Sequence, residues 1–526
     1  MNTFKKCCYF GILFLFLTFN NTFSQSIDTT QFFVQTKQGI VKGSYENETY
    51  VWKGINYAKS TAGEKRFQAP EPPENWEGIK LATAYGNVAP QETIIKSGLA
   101  SSEDCLNLNI WSPDTKNTKR PVMLWIHGGA FYTGSGSLPI YNGTKLSQKG
   151  DLVIVTINYR LGALGFLYLD EIKKPEDKFE SNLGIKDQIA ALKWVKENIE
   201  QFGGDPNNIT IFGQSAGAAS VLTLMATSAA KGLFEKAIAE SPAPNQYWMP
   251  HEGTSVTKRY LAMLGVSENN LSDLYKIPAD SLVKVGYEMI HKFSPQIPGI
   301  GTFAPTIEGC FITQIYSDTT CAEQRQGIPL LLGTNKNEMN LFNKMDMIPF
   351  SAKENELQRL IPGIRDDEVE RIFSLYKKQV MKEQRVSNII TDGVFLIPCI
   401  QVADELSKAN PTYMYRFDWT SLPLYVTGFK TCHALDVFFV FDAFDSKIGK
   451  KVTLLTRKKI VQNVADDIQT AWVNFARTGN PNDVGIETWK KYDSSERATM
   501  VIQRKAKLKF DPNQRQRKAW EGIDLD

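Results

Sequence analysis

Residues 202–217 read Phe-Gly-Gly-Asp-Pro-Asn-Asn-Ile-Thr-Ile-Phe-Gly-Gln-Ser-Ala-Gly, and this stretch decides the fold. The paired glycines stop a helix, Asp-Pro-Asn-Asn turns the chain, and Ile209–Phe212 is a short strand of β-branched and aromatic residues. Gly213-Gln214-Ser215-Ala216-Gly217 then fits the G-x-S-x-G pattern of a nucleophile elbow. In that motif a strand reverses into a helix within a few residues, and a serine sits at the tip of a strained turn. Side chains at 213 and 217 would collide with neighbouring backbone, which accounts for glycine at both positions. The turn exposes the Ser215 hydroxyl and aims the first N–H groups of the next helix at the same point. The pentapeptide alone is common. Here Ala218–Met225 continues as a helix, so strand, turn and helix follow in the order the motif requires.

Outward from the elbow, strand and helix signals alternate. Val122–Ile126 and Leu152–Ile157 are continuous apolar runs, as in strands covered on both faces. Ile185, Ile189, Leu192, Val195, Ile199 and Phe202 recur at spacings of four and three, one face of a helix that Gly203-Gly204 ends. Further strands are expected at Lys236–Ala239, Ile328–Leu332 and Tyr413–Phe417. Ile460, Val464, Ile468, Trp472 and Phe475 define a helix stopped by Gly479 and Pro481. This alternation predicts an α/β fold, a mostly parallel central sheet with helices on both faces. Ligands of such sheets bind outside the carboxyl ends of the strands, where Ser215 lies.

A serine hydroxyl is a weak nucleophile that needs a base, a group to orient the base, and N–H donors for the developing oxyanion. His127-Gly128-Gly129-Ala130-Phe131, at the end of the 122–126 strand, matches an HGGG-type oxyanion loop about 85 residues before the elbow.

At this point the chain resembles the type-B carboxylesterases, the carboxylesterase/lipase family that includes the cholinesterases. The resemblance runs from about Gly39 to Trp489. Phe202–Gly217 is similar to the family's serine signature. Glu103–Ile110 (Glu-Asp-Cys-Leu-Asn-Leu-Asn-Ile) is similar to its second signature, with Asn107 where an aromatic or Thr is usual. The resemblance implies an α/β-hydrolase fold with helical insertions over an active-site gorge, and hydrolysis of carboxylic esters. It implies that the oxyanion donors are the N–H groups of Gly129, Ala130 and Ala216. Leu332–Glu338 resembles the loop that carries the family's catalytic acid, Glu338 here, with Met339 in place of the usual Gly. Read from the residues alone, Asp418 and Asp436 compete with Glu338. Of four histidines, His127 belongs to the oxyanion loop, and His251 and His291 lie in polar, helix-like insertions. Cys432-His433-Ala434-Leu435-Asp436 precedes an apolar run and looks like the family's catalytic His segment. Ser215, Glu338 and His433 follow the chain order of α/β-hydrolases. Some relatives are adhesion proteins with a degraded triad, a reading that the three intact residues disfavour. A lipase or an aryl- or feruloyl-type esterase would use the same machinery.

Departures from the family bear on the substrate. Relatives commonly carry Glu before the nucleophile, where this chain has neutral Gln214. Cholinesterases bind their cation on a Trp within a disulfide-closed loop. Here Glu77–Asp104 contains neither Trp nor Cys, so Cys105 lacks its family partner. Choline esters are therefore expected to be poor substrates, because cation–π recognition needs an aromatic face. The segment Gly54–Lys59 lacks the family's prolines, while Arg66-Phe67 is retained. Insertions at about 246–300 and 340–410 are expected to cover the gorge.

The 526 residues are 42% hydrophobic and 22% charged, ordinary values for a globular protein, and no repeat or linker divides them. Residues 25–526 thus read as one catalytic domain. Residues 1–24 differ: Lys5-Lys6, an apolar run from Cys7 to Phe19, then a polar stretch ending at Ser24. This is the pattern of a cleaved signal peptide, which implies a secreted or periplasmic protein. The run is too short for a membrane span, and no other segment reads as apolar enough. Without Lys5 and Lys6 the balance is 58 basic against 57 acidic residues, and nucleic acid is an unsuitable partner. Seven cysteines include Cys310 and Cys321, close enough in sequence to bond in an oxidising compartment. No Cys or His spacing suits a metal, and the chemistry calls for no cofactor. The partner expected is a small-molecule ester.

Overall fold

The computed structural model describes residues 27–92, 98–116, 119–293, 302–308, 312, 327–344, 364–377, 382–483, 487–523 and 525. The expected signal peptide and the Cys310–Cys321 pair lie outside them. Eleven strands form one sheet: β1 (Ser44–Glu46), β2 (Thr49–Asn56), β3 (Asn107–Ser112), β4 (Arg120–Ile126), β5 (Val153–Ile157), β6 (Gly204–Gln214), β7 (Lys236–Glu240), β8 (Leu330–Asn335), β9 (Thr412–Phe417), β10 (Ala498–Ile502) and β11 (Lys507–Phe510). Their order across the sheet is β11-β10-β9-β8-β7-β6-β4-β5-β3-β2-β1. Neighbours from β10 through to β5 run parallel, and both margins are antiparallel. A small sheet of Phe33–Gln35, Ile40–Lys42 and Ile79–Leu81 stands apart.

The central strands are apolar throughout because both faces are covered. Along β4, Val122, Leu124 and Ile126 join one apolar cluster, while Met123 and Trp125 join the other. Leu330 and Leu332 part from Leu331 in the same way on β8. This is the two-residue side-chain period of a strand. Helix α1 (Leu183–Asn198) lays Ile185, Ile189, Leu192 and Val195 on the first face. The helix Lys458–Thr478 lays Val464, Ile468, Trp472 and Phe475 on the second. Each such side chain contributes roughly 1.5–3 kcal/mol on burial. Several details differ from the sequence reading: Asp205–Asn208, read as a turn, lie within β6, which runs from Gly204. Ile460 is only half-buried and Val461 takes the core position. Strand β8 starts at Leu330 rather than Ile328, since Pro329 has no N–H to give the ladder.

One correction concerns apolar segments. The helical stretch Gln384–Leu406 is long and apolar enough to cross a membrane by composition, although no segment of the chain was expected to be. Most of it is buried in the protein, and its Ile390, Phe395, Ile400 and Leu406 belong to the first apolar cluster, so it packs as a core helix.

Candidate active site

Parallel topology brings the predicted site residues to one edge. Ser215 follows β6, Glu338 lies three residues beyond β8, His433 lies in the loop after β9, and the 127–131 loop follows β4. These are neighbouring or next-neighbouring strands, and all four connections leave from carboxyl ends.

The elbow has the strain its motif requires. Ser215 sits at φ 59°, ψ −126°, directly before helix α2 (Ala216–Met225). Its N–H donates to Glu240 O at 3.0 Å, which pins the turn to the end of β7. A Cβ on Gly217 would lie 2.0 Å from Ile126 O, so α2 approaches β4 more closely than any side chain allows. A Gly217→Ala variant is expected to lose about 3–5 kcal/mol of stability, because the clash is with backbone that cannot rotate away. Urea unfolding checks this, and a wild-type midpoint would contradict it.

The 127–131 loop abuts the elbow. A Cβ on Gly128 would be 3.0 Å from Ser215 Cβ. Gly129 has φ +116°, and an added Cβ would meet Thr133 O at 1.9 Å. Ala130 and Phe131 follow at φ 49° and 60°. The N–H groups of Gly129, Ala130 and Ala216 donate to no other residue among the described residues. His127 is spent on the loop itself: its Nδ1 lies 2.8 Å from Gly128 O, its ring stacks on Tyr159, and Tyr159 Oη donates to its carbonyl at 2.7 Å. Burial pushes the His127 imidazole down to about 4, so it stays neutral. Gln91 braces the far side. Its Oε1 accepts from Gly134 N at 2.7 Å and Thr133 Oγ1 at 2.9 Å, and its Nε2 donates to Gly134 O at 2.8 Å. The sequence carried no signal for that role.

His433 Nδ1 lies 2.7 Å from Glu338 Oε2. Glu338 is fully buried, and its Oε1 accepts from Asn335 N at 2.5 Å. Asn335 also ties the two loops together. Its Nδ2 donates to Cys432 O at 2.9 Å and to Asp436 Oδ1 at 3.0 Å. His433 N donates to Glu338 O at 3.2 Å, and Asn337 N to Thr431 O at 2.9 Å. The rings of Phe342 and Phe395 flank the imidazole, each 5.0 Å from its centroid. Phe342 and Phe395 come from the 340–410 insertion, which therefore reaches the site. Two buried carboxyls stand behind Glu338. Asp436 accepts from Tyr415 Oη at 2.8 Å, and burial beside Glu338 raises its carboxyl to about 6. Glu240 accepts from Trp472 Nε1 at 2.7 Å, and burial next to Asp436 pushes it well above the carboxylate range. One carboxylate thus meets the imidazole while its neighbours are held by hydroxyl, amide and indole donors.

The rival residues fall elsewhere. Asp418 pairs with Arg416 at 2.6 and 2.8 Å. Asp436 bonds Asn335, Val437 and Tyr415 rather than the imidazole. His251 and His291 are exposed on the helices Pro250–Leu264 and Ala279–Phe293. Cys105 is a free, buried thiol. Arg66 forms a buried two-point pair with Glu103 at 2.7 and 2.5 Å and donates to the carbonyls of Leu274 and Ile277. The second signature is therefore a brace for the first insertion. In the altered 54–59 segment, Tyr57 Oη donates to Asn158 O at 2.6 Å.

A strained serine, an imidazole oriented by a buried carboxylate, and free N–H donors on both sides form an arrangement capable of acyl transfer. The sequence profile of the carboxylesterase family matches residues 30–520. This chain belongs to the carboxylesterase family. It is 38% identical over 492 residues to para-nitrobenzyl esterase of Bacillus subtilis, covering 92% of this chain and 97% of the relative. Phenmedipham hydrolase of Pseudarthrobacter oxydans is 30% identical, with 89% and 94% covered. The crystal structure of a Geobacillus stearothermophilus carboxylesterase superposes with a TM-score of 0.84 at 36% identity, covering 93% of this chain and all of that one. The carboxylesterase described here is accordingly a carboxylic ester hydrolase with the α/β-hydrolase fold.

Proposed function

We propose that this esterase works through an acyl-enzyme on Ser215 and prefers uncharged esters of short to medium acyl length. The buried Glu338–His433 pair beside the elbow carries the mechanism. His433 takes the Ser215 proton as the hydroxyl attacks the ester carbonyl, and Glu338 holds the Nδ1–H tautomer and stabilises the cation that forms. The N–H groups of Gly129, Ala130 and Ala216 receive the oxyanion. His433 returns the proton to the leaving alcohol, then activates water to release the acid. Labelling with an organophosphate is expected to go to one equivalent, with the adduct on Ser215 by peptide mapping; an unlabelled serine would contradict the mechanism.

Neutral Gln214 supports the substrate preference, together with the absence of any Trp from the 77–104 stretch. Butyrylcholine is expected to give a lower kcat/KM than an uncharged butyrate ester. A strong preference for the cation would sink the idea. A series of p-nitrophenyl esters of rising acyl length tests the length preference, and activity rising towards long chains would mark a lipase instead. We further propose that residues 1–24 are removed on export to the periplasm or medium, as their basic start and apolar run support. The mass of the mature N-terminus tests this.

A further inference from the structure

Gln214 is the last residue of β6, immediately before the nucleophile, and it is buried. Its side-chain Nε2 lies 2.9 Å from His433 Nε2. Chemistry fixes the direction of this contact. With Glu338 accepting at Nδ1, that nitrogen carries the ring proton, and Nε2 of the neutral imidazole offers a single in-plane lone pair. Only the NH₂ end of an amide can meet that lone pair. The oxygen end of Gln214 lies beside Gly128, where an added Cβ would be 3.1 Å away. The same lone pair must take the Ser215 proton, and Ser215 Oγ makes no hydrogen bond among the described residues.

We propose that Gln214 is a positioning residue that caps the base: in the free enzyme its amide occupies the His433 Nε2 lone pair, and substrate must turn it aside before Ser215 can be deprotonated. This rests on the roles assigned above to Ser215 and His433. Donating to the neutral imidazole, the amide favours the uncharged ring. A carboxylate at this position could only accept, and so would favour the charged ring. The other charged groups around His433 are Glu338, from the loop after β8, and Asp436, on its own loop, with Glu240 behind Asp436 at the end of β7. They are unchanged by substitution at 214.

Gln214→Met keeps the volume and removes the donor. It is expected to raise kcat/KM for p-nitrophenyl acetate, and the rate of organophosphate labelling, about two- to ten-fold, the worth of one neutral hydrogen bond. The ratio of kcat/KM at pH 8.5 to that at pH 6.0 is expected to rise in Gln214→Met and to rise most in Gln214→Glu. A glutamine that merely fills space predicts the opposite: kcat/KM falls in the methionine variant and the pH ratio stays at the wild-type value. Either result overturns the proposal. Should neither variant fold, ¹⁵N-histidine spectra of the wild type decide: an accepting Nε2 resonates upfield of a free imidazole nitrogen, and a free His433 Nε2 overturns the cap. The two readings separate cleanly, because activity surviving in Ser215→Ala would refute the serine mechanism whatever Gln214 does.

Discussion

Ser215→Ala is expected to lower kcat for p-nitrophenyl esters by at least ~10⁴-fold while the protein stays folded. The size follows from what is left. In the proposed mechanism, removing the hydroxyl deletes the covalent route while the N–H groups of Gly129, Ala130 and Ala216 and the gorge still bind the ester, so some acceleration over water is expected to survive. Folding should persist because the Ser215 side chain makes no hydrogen bond among the described residues, and the turn is held by backbone: Ser215 N to Glu240 O at 3.0 Å and Ala219 N to Ser215 O at 2.8 Å. At φ 59° alanine bears the same Cβ strain as serine, so the substitution adds none. Circular dichroism and thermal unfolding check the fold, and steady-state kinetics on the short esters check the loss. A variant retaining a tenth of wild-type kcat would refute Ser215 as nucleophile.

Some parts of this site are written in contiguous residues and some are not. The elbow was legible because its demands are local: a β-branched strand, glycines where Cβ cannot fit, then a helix. Gly217 against Ile126 O shows that the glycine argument holds physically. The 127–131 loop was legible for the same reason. Glu338 and His433 are 95 positions apart, and no local pattern states that one carboxylate rather than Asp418 or Asp436 will face the ring. Family resemblance pointed to Glu338. The structure shows why the others are unavailable: Arg416 holds Asp418, and Asn335 with Tyr415 holds Asp436. Sheet order is likewise long-range. That β6 lies against β4, placing the 127–131 loop against the elbow, depends on packing two apolar faces at once. Gln214 was read for the charge it lacks. Its hydrogen bond to a histidine 219 positions away could not be read, because an amide leaves no periodic trace.

The second large effect is expected at Glu338, the proposed acid. Glu338→Gln is expected to lower kcat by about 10³–10⁴-fold with KM nearly unchanged, because it reverses the tautomer rather than removing a contact with substrate. In the wild type Glu338 Oε2 accepts from His433 Nδ1 and Oε1 accepts from Asn335 N, so both oxygens are committed as acceptors. A glutamine must keep its oxygen towards Asn335 N, since a backbone N–H cannot accept, and this turns its NH₂ towards His433 Nδ1. The ring then moves its proton to Nε2 so that Nδ1 can accept. A protonated Nε2 has no lone pair for the Ser215 hydroxyl, and it also confronts the Gln214 amide donor at 2.9 Å. Two donors meeting at that point should turn the Gln214 side chain end for end, with its oxygen towards the ring. The combined variant Gln214→Met/Glu338→Gln therefore regains little activity, because the missing lone pair rather than the cap is then limiting. Single-turnover acylation kinetics on both variants check this. Glu338→Gln activity within ten-fold of wild type would show that the carboxylate does not govern the tautomer.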